Sequence, residues 1–172
     1  MYRVRNLLPD TVVSSLYFSL VHPYILYAII SWYGAPSYLS NKVKIYQKRA
    51  VRIAKSLDFN GHTLDSFVNM KLLPVDSLFS YRIAVHMFCT INFPGLDSNL
   101  LEKLVSLQSQ HNYPTRNGKN FVIPRCRRET TKRCLHISGV RVWSSIPAEV
   151  KECNNYKQFK IKMKNFLICN IT

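Results

Sequence analysis

The sequence predicts a mainly α-helical protein with one short extended or β-hairpin segment near residues 119–137. Three observations lead there. Apolar residues recur at spacings of three and four along much of the chain, which is the helical period rather than the alternation of strands. Pro and Gly punctuate these stretches, as at Gly34-Ala35-Pro36, Pro94-Gly95 and Pro147. Only Asn112 to Arg133 departs from the habit, being rich in Asn, Arg, Thr and Pro around a single apolar patch, Phe121-Val122-Ile123. The chain has 172 residues, 47% of them hydrophobic, so it is one ordinary domain or two small ones with enough apolar surface for a core.

The elements follow in order. Pro9-Asp10-Thr11 opens a helix that runs to about Tyr33, with Val13, Leu16, Leu20, Tyr24 and Tyr27 in helical register. Pro23 kinks or divides it, because proline has no N–H to donate and its ring crowds the preceding turn. Ser40 caps a second helix through about Lys55. It sets Val43, Tyr46, Ala50, Ile53 and Ala54 on one face and Lys44, Lys48, Arg52 and Lys55 on another. A short helix covers Leu64 to Met70, and a longer one opens at Pro74 and continues to about Ile91. Leu100 to Leu107 is helical, and Gly139 to Ser145 forms a short helix before Pro147. The last helix, about Asn155 to Cys169, gathers Tyr156, Phe159, Met163, Phe166 and Leu167 on one side, and its lysines read as a solvated face.

Charge is unevenly divided. The chain holds 24 Lys and Arg against nine Asp and Glu, a net of +15. Residues 1–55 carry +7, residues 56–110 carry −2 and residues 111–172 carry +10. Two basic lobes around a near-neutral middle point to a polyanion: nucleic acid, an anionic membrane or an acidic protein. The stripe Lys44, Lys48, Arg52, Lys55 has no acid at i±4 and repels itself, which favours an anionic partner. The arm containing Arg116, Lys119, Arg125, Arg127, Arg128, Lys132 and Arg133 places seven cations in 18 residues. It is mostly Arg, the side chain suited to bidentate phosphate contacts. Tyr113 and Phe121 lie in that arm, either for stacking on bases or for the core.

Several chemistries lack their residues. The nine acids are isolated in sequence, so no local pair of carboxylates supplies a two-metal site. There is no Gly-rich phosphate loop and no nucleophile elbow. Cys126, Cys134, His136 and His111 match no common zinc spacing, and the expectation is no metal and no cofactor. Five cysteines at irregular spacing are not a disulfide framework and fit a reducing compartment. The N-terminus lacks the order of a secretory signal, so the expected location is intracellular, nucleus or cytoplasm. No Asp, Glu, Lys or Arg occurs from Thr11 to Asn41. That length would span a bilayer, but its Ser, His and Pro content and the basic residues at both ends favour a buried helix.

The order of certain blocks carries a resemblance. Tyr17-Phe18-Ser19-Leu20-Val21-His22-Pro23-Tyr24-Ile25-Leu26-Tyr27 precedes Trp32 and Gln47-Lys48-Arg49-Ala50-Val51-Arg52-Ile53. Then come His111-Asn112-Tyr113, Thr115-Arg116 and Pro124-Arg125-Cys126-Arg127. Gly139, Trp143, Ile146-Pro147, Glu149-Val150-Lys151 and Phe159-Lys160 close the series. This resembles the C-terminal end of the reverse transcriptase (RNA-directed DNA polymerase) of Jockey-like non-long-terminal-repeat retrotransposons, over nearly the whole chain. The resemblance implies a thumb-like helical bundle at 1–57, cut within the thumb, and the family's C-terminal region at 58–172 with its basic arm at 112–133.

A thumb grips the template–primer duplex by its backbone. The resemblance therefore implies binding of RNA or DNA with low sequence specificity through Lys44, Lys48, Arg52, Lys55, Arg116, Arg125, Arg127 and Arg128. The family's palm, its aspartate pair and its endonuclease are missing, so the fragment is expected not to be an enzyme by itself. Ser144 stands where the family usually has Asn. A cut within the thumb would expose apolar surface at residues 11–33 and favour self-association. Two other readings stay open: a small membrane protein anchored at 11–33, and a remnant without function.

Overall fold

The computed structural model describes residues 7–93, 95–106, 121–153 and 155–171, and it is mainly α-helical. The chain divides into two compact units, one of Met1–Phe79 with Asn165–Thr172 and the other of Ser80–Lys164.

In the first unit, α1 (Asp10–Leu16) runs into a π-helical turn (Tyr17–Val21) and α2 (His22–Leu26). The wide turn is the answer to Pro23. His22 N–H reaches back five residues to the Tyr17 carbonyl, and the proline that follows enters at the start of α2, where a missing donor costs least. Tyr27 then turns extended and Ala28 adopts a left-handed φ of 47°. The Trp32 indole N–H donates to the Tyr27 carbonyl at 2.9 Å and braces this break before α3 (Ile29–Trp32). The stretch from Thr11 to Tyr33 is thus several short helices. No described helix is long and apolar enough to cross a membrane. Val13, Tyr17, Ile25 and Ile29 are buried, while Val12, Leu20, Tyr24 and Tyr27 are exposed.

α4 (Ser37–Ala54) starts one turn earlier than its sequence suggests. Pro36 stands at the cap, and Ser40 lies inside the helix with its hydroxyl bonded to the Ser37 carbonyl at 2.9 Å. Its buried side chains are Ser40, Gln47, Val51 and Ala54, so the inward face is rotated from the expected one and Tyr46 points to solvent. Val13, Tyr17, Val51, Ala54, Phe67 and Leu72 form the core of this unit. α4 and α5 (Leu64–Asn69) end in the same way. Leu57 N–H bonds the Arg52 carbonyl at 2.9 Å and Leu72 N–H bonds the Phe67 carbonyl at 2.8 Å. Ser56 and Lys71 take the left-handed position (φ 50° and 49°) that glycine usually fills.

α6 (Val75–Asn92) and α11 (Tyr156–Cys169) each contribute to both units. In the second unit lie α7 (Ser98–Lys103), α8 (Glu129–Lys132), α9 (Leu135–Ser145) and α10 (Ala148–Lys151). Asp97 caps α7, accepting from Leu100 N–H at 3.0 Å, and its other carboxylate oxygen meets His86 Nε2 at 3.1 Å. The core stacks Phe88 on Phe159 with ring centres 4.3 Å apart and Trp143 6.1 Å from Phe159. Gly139 lets α9 approach Met87: a Cβ there would stand 2.8 Å from the Met87 sulfur.

The hairpin expected near 119–137 is not found among the described residues. One isolated antiparallel bridge joins Ser106 and Phe121, and Val122 N–H donates to the Val105 carbonyl at 2.8 Å. Residues 122–127 are irregular, and 129–132 and 135–145 are helical. A lone apolar patch cannot make a hairpin, which needs a partner strand of matching pattern.

Candidate nucleic-acid interface

α4 carries Lys42, Lys44, Lys48, Arg49 and Arg52 and no acid over its length. The core fixes which of these reach solvent. Val43, Gln47, Val51 and Ala54 turn inward or toward the inner edge, so Tyr38, Lys42, Ile45, Tyr46 and Arg49 fall on the opposite side at helical spacing. All five are exposed, as is Lys48 beside them. Lys42 Nζ lies 5.9 Å from the centre of the Tyr38 ring and Arg49 Cζ 6.0 Å from that of Tyr46.

The expected stripe is divided by the tertiary structure. Lys44 pairs with Asp76 at 2.8 Å, and the same carboxylate accepts a short hydrogen bond from the Tyr33 hydroxyl. Burial, reinforced by that hydrogen bond and by the Asp76 charge, raises the Tyr33 phenol well above its ordinary range. Tyr33 also stacks on Phe79, with ring centres 4.0 Å apart. Lys44 therefore belongs to a clasp between α4 and the start of α6. Arg52 is half-buried and donates from Nε to the Gly61 carbonyl at 3.0 Å, pinning the loop before α5. Lys55 is half-buried at the end of α4, and Lys48 is exposed. Among the described residues, Lys42, Lys48 and Arg49 join no ion pair.

In the second unit, Arg125, Arg127 and Arg128 are exposed on the irregular segment ahead of α8. Arg116, Tyr113 and His111 lie outside the described residues. Lys132 is engaged by Glu129, and that hydrogen bond, with the lysine charge, holds the Glu129 carboxyl below its usual range. Lys151 lies over the Trp143 ring at 5.9 Å, and burial lowers its ammonium below its ordinary value. Among the described residues no three or more His, Cys, Asp or Glu side chains are grouped to hold a metal ion. Cys89, Cys126, Cys134, Cys153 and Cys169 are free thiols.

Lys42, Arg49 and their two tyrosines are the residues that sequence reasoning missed. Their signal was present as a spacing of four from Tyr38 to Lys42 and three from Tyr46 to Arg49. It was hidden because a helix starting at Ser40 leaves Tyr38 outside and puts Tyr46 inside.

What the described residues define is a mainly α-helical protein whose longest basic helix turns cations and tyrosines to solvent. No protein-family model, curated protein or solved structure matches the chain.

Proposed function

We propose that this chain is the thumb and C-terminal region of a Jockey-like retrotransposon reverse transcriptase, and that it binds the phosphate backbone of RNA or DNA, template–primer duplex included, without catalysing a reaction alone. The observation that carries the binding reading is α4: five cations and no acid on one helix, with Lys42, Lys48 and Arg49 exposed and, among the described residues, outside any ion pair. Unpaired cations on an acid-free helix raise the local positive potential, which phosphate relieves, releasing counterions as it binds. Exposed Arg125, Arg127 and Arg128 offer the second unit a similar contact, by guanidinium forks that fit phosphate oxygens. The family origin rests on the order of the blocks from Tyr17 to Lys160.

Fluorescence anisotropy with a labelled duplex, repeated over a salt series, tests the binding. The logarithm of the affinity should fall linearly with the logarithm of salt, with a slope of about −0.9 for each phosphate neutralised. Lys48→Ala should weaken binding to unrelated sequences alike and make the slope shallower by about one contact. Affinity that is flat in salt would overturn the reading.

A further inference from the structure

We propose that the outer face of α4 is a stacking platform for the unpaired bases of a single strand, with Tyr38 and Tyr46 under the bases and Lys42 and Arg49 on the flanking phosphates. The inference rests on the nucleic-acid reading above and adds to it the kind of strand this face selects.

Tyr38 is 60% exposed and Tyr46 61%, while the inner face of α4 buries Ser40, Gln47, Val51 and Ala54 instead. A tyrosine left in water on a helix gives nothing to the core and is a large flat surface free for another ring. The two stand on the same side of the helix, ~12 Å apart along its axis. Each has a cation near its centre at about the outer limit of a cation–π contact, 5.9 Å for Lys42 and 6.0 Å for Arg49. Such loosely held cations can swing to a phosphate while the ring takes the base. Aromatic rings alternating with cations on a helix that carries no acid are what a strand with exposed base faces and a charged backbone complements.

A duplex does not offer that match. Its bases are stacked on one another, so a convex helix face meets phosphates and groove edges but no base plane. The cations serve both forms of nucleic acid, while the tyrosines gain only from an unpaired one. Tyrosine beside Arg is also common in protein interfaces, so self-association is the competing use of this face.

The test compares oligothymidine with a duplex by anisotropy, using the full chain and the Tyr38→Ala/Tyr46→Ala variant. Both rings are exposed, so the variant should fold, as circular dichroism will show. The expected result is a loss of at least about tenfold in oligothymidine affinity, with duplex affinity and its salt slope unchanged. The Tyr38→Phe/Tyr46→Phe variant should retain single-strand binding, because the ring and not the hydroxyl stacks. Salt-dependent binding that the alanine variant leaves intact, or loses equally for duplex and single strand, would overturn the platform while leaving the backbone reading standing. So would a variant that changes only the self-association measured by sedimentation. No binding of the unaltered chain to either probe would overturn both.

Discussion

The second unit has an aromatic stack in its core, Phe88 on Phe159 with Trp143 alongside, whereas the first sets a buried amide beside its apolar core. Gln47 is 1% exposed on the inner face of α4. Its Nε2 donates to the Leu73 carbonyl at 3.0 Å and to the Tyr17 hydroxyl at 3.3 Å, and its Oε1 accepts from Val75 N–H at 2.9 Å. One side chain thereby satisfies two backbone groups on either side of Pro74, including an orphan donor in the first turn of α6. It ties α4 to the π-helical turn as well. The aromatic core is held by area and shape, which tolerate small displacement. The buried amide is held by direction, and fails when one partner is lost.

That contrast can be broken from either side. The largest effect should come from Phe159→Ala, which removes the ring shared by Phe88 and Trp143. A loss of about 3–5 kcal/mol is expected in denaturant unfolding. Amide exchange should place the loss in α6, α9 and α11. A loss below about 1 kcal/mol would mean the stack is not what holds this unit. Gln47→Leu should cost about 3 kcal/mol despite similar volume, because Leu73 C=O, Val75 N–H and the Tyr17 hydroxyl all lose a buried partner. If the variant is as stable as the parent, the amide is dispensable and the first unit is held by its apolar core alone.

The smallest and most specific effect concerns pH. Burial, only partly offset by the Gln47 hydrogen bond, raises the Tyr17 phenol from 10.0 to about 12. In the unfolded chain it would ionise near its ordinary value. Its contribution is therefore fully present below pH 10 and is lost as pH rises toward 12. Tyr17→Phe should flatten the alkaline side of the stability curve in that window. An unchanged curve would show that Tyr17 is not ionising on unfolding there.

The same contrast explains what could be read in advance. α5, α6 and α11 follow apolar periodicity, and their ends were visible to within a few residues. Where a polar side chain enters the interior, periodicity misleads. Gln47 lies at the centre of the inner face of α4, but a glutamine between two lysine-rich turns reads as surface, and the inward face was assigned to Tyr46 instead. The ends of α4 and α5 were placed to within a residue, but not the way they stop. Glycine usually signals a left-handed stop, and here Ser56 and Lys71 fill it. Pro23 announced a disruption, but not that a π turn would absorb it and Ala28 would make the break.

The candidate site shows the same limit. Its charge was legible, since no acid interrupts residues 37–55. Its geometry was not. Lys44 and Arg52 looked equivalent to Lys48, but Asp76 and the Gly61 carbonyl, distant in sequence, engage the first two.

By itself, then, the sequence determined the helical class, the positions of most helices and the concentration of cations on α4, because these depend on residues within a few turns of one another. Only the tertiary structure decided which cations stay free, which face of α4 is inside and where an amide is buried beside an apolar core. Those outcomes depend on hydrogen bonds and ion pairs between residues far apart in the chain, and local spacing carries no record of them.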